Sequence, residues 1–204
     1  MKTENKVLMQ QAWADLSGRW GMTALATLIY LVIIIGIQNV PLLGPIASLI
    51  ISGPMALGFT IFMLAISRKE ETRIGQIFDG FKNFGTALAA YLLIGLLVCL
   101  WLLLLIIPGI IAALAYSQTF FIIADNKDIN PIDAIKRSTS MMYGHKWKLF
   151  CLGLRFIGWI LLCILTLGIL FLWITPYMYV SYAKFYDDIK DSLDKDHESV
   201  WKIF

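Results

Sequence analysis

Charge is what this chain has least of. Only 15% of its 204 residues are charged and 59% are hydrophobic, whereas a soluble domain carries about 25% charged and about 45–50% apolar residues. A water-soluble globule is excluded, because so few polar groups cannot cover a surface of that size. Histidine is nearly absent: His145 and His197 stand alone, so neither a metal cluster nor a histidine acid–base pair is expected. The cysteines Cys99, Cys151 and Cys163 all fall within apolar runs and form no CxxC pair. They read as small hydrophobes with no disulfide role. The nucleophile-elbow, phosphate-loop and zinc-protease signatures are missing, as is any paired-carboxylate arrangement. No catalytic residue, metal or cofactor is therefore expected, and the chain is read as non-enzymatic. Residues 1–20 also lack the apolar core and small-residue cleavage site of a signal peptide, which leaves the first apolar helix to act as its own insertion signal.

Long apolar runs are what the chain has instead. They extend from Met22 to Ile37, Ile46 to Ile66, Thr86 to Ile107, Ile110 to Ala124, Leu149 to Leu165 and Ile169 to Val180. A bilayer core about 30 Å thick takes roughly 20 residues of helix. The expectation is an all-α polytopic bundle occupying residues 1–204 as one membrane domain. Six transmembrane helices are expected at about 21–38, 45–66, 86–107, 109–124, 148–165 and 168–186, followed by a tail at 187–204. Short amphipathic helices are expected at about 5–19, 74–84 and 131–143.

Polar interruptions separate these helices in two alternating kinds. Residues 1–20, 67–83, 125–148 and 184–204 hold every Asp and Glu and every Lys and Arg except Arg155. The intervening turns, Gln38–Gly44, Ile107–Gly109 and Thr166–Gly168, hold no charge. By the positive-inside rule the charged segments and both termini face the cytoplasm. The chain also reads as one pattern used three times: surface segment, outward helix, tight turn, returning helix. Comparable landmarks precede each outward helix: Gly18-Arg19-Trp20-Gly21, Lys82-Asn83-Phe84-Gly85 and Gly144-His145-Lys146-Trp147.

Two surface segments carry an apolar stripe at helical spacing. In the second, Ile74, Ile77, Phe78, Phe81 and Phe84 fall on one α-helical face, with Gln76, Asp79, Lys82 and Asn83 away from it. In the third, Asn130 is an N-cap, Pro131 opens the helix and Asp133 sits near its positive end. Ile132, Ile135, Thr139 and Met142 form the stripe there, leaving Lys136 and Arg137 for water or headgroups. The cluster His145-Lys146-Trp147-Lys148 has the basic and aromatic character of a membrane interface. Arg155 lies about two turns inside an apolar helix, where charge is costly. It reads either as an anchor for an anionic headgroup or bundle ion pair, or as a snorkelling side chain. Pro54 and Pro176 break backbone hydrogen bonding within membrane helices. With Gln118 they are candidates to line a path; otherwise the prolines simply set packing and Gln118 hydrogen-bonds across to a neighbouring helix. Tyr177, Tyr179, Tyr182 and Tyr186 read as an interfacial aromatic belt.

The run Tyr116-Ser117-Gln118-Thr119-Phe120-Phe121-Ile122-Ile123-Ala124-Asp125 is followed by Asp133-Ala134-Ile135, Ser138, Met141-Met142 and Gly144-His145-Lys146. Phe156-Ile157-Gly158-Trp159 and Thr175-Pro176-Tyr177 come next. In that order these residues resemble the bacterial integral-membrane family catalogued as domain of unknown function 975. The resemblance implies a multi-pass protein of the bacterial cytoplasmic membrane and supplies no catalytic residues. The expected partners are the bilayer itself and an anionic lipid or a cytoplasmic or membrane protein, with no nucleic acid. A second likeness, of Asp133-Ala134 and the downstream Gly144 to the ATPase-docking loop of transporter permeases, implies the alternative of a permease-like transport component. The spacing here is longer than in that loop.

Overall fold

The computed structural model describes residues 3–41 and 43–201, with side chains up to Asp191. The described residues hold α-helices, one 3-10 helix and no strand. In chain order the α-helices are α1 (Asn5–Leu16), α2 (Trp20–Gln38), α3 (Gly44–Ser67), α4 (Phe84–Leu104), α5 (Ile106–Tyr116) and α6 (Thr119–Asp125). They continue with α7 (Pro131–Met141), α8 (Lys146–Arg155), α9 (Ile157–Leu165) and α10 (Phe171–Trp201). The 3-10 helix, Ile74–Asn83, leads directly into α4.

Among the described residues, five stretches have the length and composition to cross a membrane: Trp20–Gln38, Gly44–Ser67, Ile74–Leu104, Ile106–Asp125 and Lys146–Leu165. The expected sixth is not among them. α10 is apolar only to Ala183 and then carries Lys184, Asp187 and Asp188, so its uncharged part is short. It also continues as one helix to Trp201, through most of what was expected to be a tail. The side chain of His197 lies outside the described residues.

Two expected spans are broken. Regular α-helical hydrogen bonding is interrupted between α5 and α6 at Ser117 and Gln118, and between α8 and α9 at Phe156, although all three keep right-handed helical backbone angles. The turn expected at Ile107–Gly109 falls at Leu105, which is extended (φ −162°, ψ 145°). Pro108 then sits in the first turn of α5, where its missing N–H removes no helical bond.

Burial is concentrated at the end of the bundle where the charged segments lie. α3 is the central helix and is buried almost continuously from Gly53 to Ser67. By contrast α2 buries only Thr23, Ala26 and Thr27, and α4 only Ala87 and Ala90, all near their charged ends. Towards the uncharged turns, Leu103, Leu165 and Leu167 are 79–93% exposed, as apolar residues facing lipid would be. Close crossing of α3 and α4 needs Gly53, because a Cβ there would lie 2.9 Å from the Ala87 carbonyl oxygen. Small residues at membrane helix crossings serve this purpose generally.

The second surface segment departs most from its expected form. As a 3-10 helix it repeats every three residues rather than every 3.6, so the expected single stripe is divided. Ile74, Ile77 and Gly80 face inward, and Ile77 and Gly80 are buried. Phe78, Phe81 and Phe84 form a separate exposed row (37–45%). Gln76, Asp79 and Lys82 make the third row, joined by an Asp79–Lys82 ion pair of 2.6 Å. The inward row meets α3 backbone to backbone. A Cβ on Gly80 would fall 1.9 Å from the Pro54 oxygen, and one on Gly58 would fall 1.8 Å from the Ile77 oxygen.

The threefold order of surface segment, helix, turn and helix recurs in the structure. The landmarks before the outward helices agree only in part. Gly18 and Gly144 both adopt the left-handed backbone (φ 81° and 77°), whereas the second landmark contains no such residue.

Candidate functional site

The charged end is held by ion pairs that converge on α10. Arg68, just past α3, forks onto the Asp125 carboxylate at 2.6 and 3.0 Å and reaches Asp187 at 2.7 Å. Asp125 closes α6 and also accepts from Tyr186 (3.0 Å) and Lys190 (2.7 Å). The hydrogen bonds that Arg68 donates, that to Asp125 foremost, hold its guanidinium well above its ordinary pKa, so it stays charged. Asp15 of α1 lies 2.7 Å from Lys184 and 3.5 Å from Lys69, and its side chain is only 4% exposed. The Lys184 contact with Asp15 is ionic without hydrogen-bond geometry, and the ammonium also donates to the Ser67 carbonyl oxygen. Lys148 of α8 pairs with Asp188 at 3.3 Å, donates to the Thr3 carbonyl and sits 5.8 Å from the Phe185 ring centre. Thus α1, α3, α6 and α8 are each tied to α10 by charge.

Lys148 is therefore committed to the fold, while its neighbours form an open basic and aromatic rim. α7 begins as expected, with the Asn130 side chain accepting from the Ile132 N–H at 3.0 Å. Its buried face agrees with the expected one only in part: Ile135 and Met142 are buried, together with Ala134, Ser138 and Met141, whereas Ile132 is 53% exposed and Thr139 is exposed. The reason lies at the α5–α6 break. The Ser138 hydroxyl donates to the Ala115 oxygen (2.7 Å) and accepts from the Gln118 N–H (3.2 Å), satisfying backbone groups that the break orphans. This orientation leaves Lys136 and Arg137 exposed. Gly144 turns the chain, His145 and Lys146 are half-buried, and Tyr143 and Trp147 stand 84% and 72% exposed. Among the described residues, Lys136, Arg137, Lys146 and Arg155 make no ion pair. A groove of about 610 Å³ beside Lys136 is lined by Tyr116, Ile135, Thr139, Ser140 and Tyr143.

Arg155 is exposed at the end of α8, so it is not the partner of an ion pair inside the bundle. Pro54 and Pro176 are buried within helices that run through them unbroken, and neither lines the cavities described here. Gln118 does line one. This cavity, about 400 Å³, lies between α5, α8 and α10, with Leu114, Phe121, Leu149 and Gly153 among its walls. A second, of about 590 Å³, is walled by Trp13, Trp20, Trp159, Trp173 and Tyr177. The tyrosines of α10 pack inward rather than forming a belt. Tyr177 and Tyr186 are at most 8% exposed, and Tyr186 stacks on Phe121 at 5.5 Å. No group of three or more His, Cys, Asp and Glu among the described residues could hold a metal ion. Of the residues likened to a docking loop, Ala134 is fully buried, whereas Asp133 and Gly144 are exposed.

The charge network was missed from sequence, where its members stood in separate loops. The available signal was the spacing of Lys184, Asp187, Asp188 and Lys190 over less than two turns of one helix.

The family model described as "Protein of unknown function (DUF975)" matches residues 1–108 and 97–192. No curated protein and no solved structure matches the chain.

Proposed function

The chain belongs to the DUF975 family, a membership that brings no activity with it, and from the site itself we propose a multi-pass protein of the bacterial cytoplasmic membrane that gathers anionic lipid at its cytoplasmic face. On this reading α10 is the sixth crossing. α9 leads away from Lys148, and α10 must return to the charged end for Asp187 and Lys190 to meet Arg68 and Asp125. An even number of crossings puts all charged segments on one side, which the positive-inside rule makes cytoplasmic.

The observation that carries the lipid reading is the contrast between paired and unpaired cations. Arg68, Lys148, Lys184 and Lys190 are tied to carboxylates. Lys136, Arg137 and Lys146 are left over beside the exposed rings of Tyr143 and Trp147, a combination suited to the headgroup layer. The protein acts by binding and is not an enzyme. A permease-like role would need a polar path, whereas the cavity reaching Gln118 is mostly apolar-walled and has the half-exposed Ile110 and Leu154 beside it.

The test is lipid retention by protein purified in mild detergent from membranes of mixed phosphatidylglycerol and phosphatidylcholine. Wild type should keep phosphatidylglycerol preferentially. The triple variant Lys136→Gln/Arg137→Gln/Lys146→Gln should lose up to about a hundredfold in that preference, at roughly 1 kcal/mol per cation. Lys82→Gln, removing a cation already paired with Asp79, should change little. Equal preference in wild type and triple variant overturns the reading.

A further inference from the structure

Gln118, on the wall of the cavity between α5, α8 and α10, carries a polar atom that the protein does not satisfy. Gln118 is 1% exposed. Its backbone N–H goes to Ser138 and its amide N–H donates to the Ser117 hydroxyl at 3.0 Å. Ser117 in turn donates to the Leu114 oxygen at 2.8 Å. The amide oxygen, Oε1, has no partner. A buried acceptor without a donor is costly and uncommon in folded proteins. Exchanging the amide's O and N would leave the problem in place, because one half of the group would still lack a partner.

The cavity around this group is apolar and about 400 Å³ in volume. It lies beside the lipid-facing surface, with Ile110 and Leu154 43% and 45% exposed. Gly153 keeps it open, since a side chain at that position would project towards Tyr182. An apolar cleft of this kind, with a single convergent polar group, is the usual form of a small-molecule site.

We propose that this cleft binds one hydrocarbon chain of a neutral lipid alcohol, whose hydroxyl donates to Gln118 Oε1 once the amide, closed to a water-sized sphere as it stands, turns into the cleft. The chain fills the volume beside Gly153, and the hydroxyl supplies the donor that the protein lacks. The site shares no residue with the basic rim and needs no charge on its ligand, so it stands apart from the headgroup reading.

The test uses protein in phosphatidylcholine nanodiscs and two photoreactive probes with the same diazirine-bearing chain: a monoacylglycerol and the methyl ester. Crosslinked peptides are located by mass spectrometry. In wild type the monoacylglycerol should label the segment Leu149–Leu154 about fivefold more than the ester does, the difference one net hydrogen bond makes. Gln118→Leu should remove that difference while leaving chain labelling in place. Gly153→Leu should remove labelling by both probes. A Cβ at Gly153 meets only the Tyr182 hydroxyl, at 3.7 Å, so the fold can accept the substitution, and unchanged thermal unfolding verifies this. Gly158→Leu, where a Cβ meets nothing within 4 Å, and the rim triple variant should label as wild type does. Equal labelling by the two probes in wild type, or labelling of Gly153→Leu at the wild-type level, overturns the proposal whatever the rim binds.

Discussion

Replacing Gly80 by alanine tests whether the surface 3-10 helix is pressed onto α3 as closely as described. The added Cβ would stand 1.9 Å from the Pro54 oxygen and 2.5 Å from the Gly58 nitrogen. Non-bonded heavy atoms settle at about 3.5 Å, so the two backbones must part by on the order of 1.5 Å. Neither obstacle is a side chain that can swing aside. Separation would loosen Ile77, which is fully buried in that interface. Overpacking of this kind costs about 1–3 kcal/mol. Gly75 is the internal control: it lies on the same 3-10 helix, and a Cβ there meets nothing within 4 Å. Both variants remove the same glycine flexibility from the unfolded chain, so their difference isolates the contact. The assay is reversible unfolding in dodecyl maltoside with increasing dodecyl sulfate, followed by tryptophan fluorescence. Gly80→Ala should lose at least about 1 kcal/mol relative to Gly75→Ala. Stabilities within about 0.5 kcal/mol of each other would refute the backbone-to-backbone packing.

Three other outcomes follow from the charged end. A double-mutant cycle of Arg68→Leu with Asp125→Asn should give a coupling energy of about 1–3 kcal/mol, between the ranges for exposed and buried ion pairs. Coupling below about 0.5 kcal/mol would mean that the bidentate pair contributes little. Ser138→Ala should cost about 1–3 kcal/mol by stranding the Ala115 oxygen and the Gln118 N–H, whereas the exposed Ser140→Ala should be near neutral in the same unfolding assay. Burial, and then the nearby Lys148, holds the pKa of His145 below its ordinary value. Its contribution to stability is thus present above about pH 6.5 and lost as pH falls through the depressed pKa. An NMR titration placing the His145 midpoint at or above about 6.5 would contradict this.

Much of the architecture was legible because lipid imposes it. The apolar runs located the long helices, and the Asn130-Pro131 pair located the start of α7. What could not be read were features set by contacts between distant segments. The spacing of Phe78, Phe81 and Phe84 fits an α-helical stripe and a 3-10 row equally well, and packing against Gly58 selects the latter. The face that α7 buries is chosen by Ser138, because the α5–α6 break needs a hydroxyl there. The expected sixth membrane helix ends near Tyr186, since Asp187 onward reads as soluble, yet Asp187, Asp188 and Lys190 find partners in Arg68 after α3, Lys148 of α8 and Asp125 of α6. Of the site residues, Lys136 and Arg137 stand exposed as expected. Lys148 turned inward because Asp188 and Thr3 lie beneath it, and no spacing rule reveals a partner forty residues away.

The central claim is that the paired charges and the basic rim share the cytoplasmic side of the membrane. Substituted-cysteine labelling tests it directly, in a background lacking Cys99, Cys151 and Cys163. Asn39→Cys, in the first uncharged turn, should react with a membrane-impermeant maleimide in intact cells. Lys127→Cys, in the exposed loop after α6, should react only once the membrane is opened. Labelling of Lys127→Cys in intact cells, or protection of Asn39→Cys until they are opened, would contradict the account.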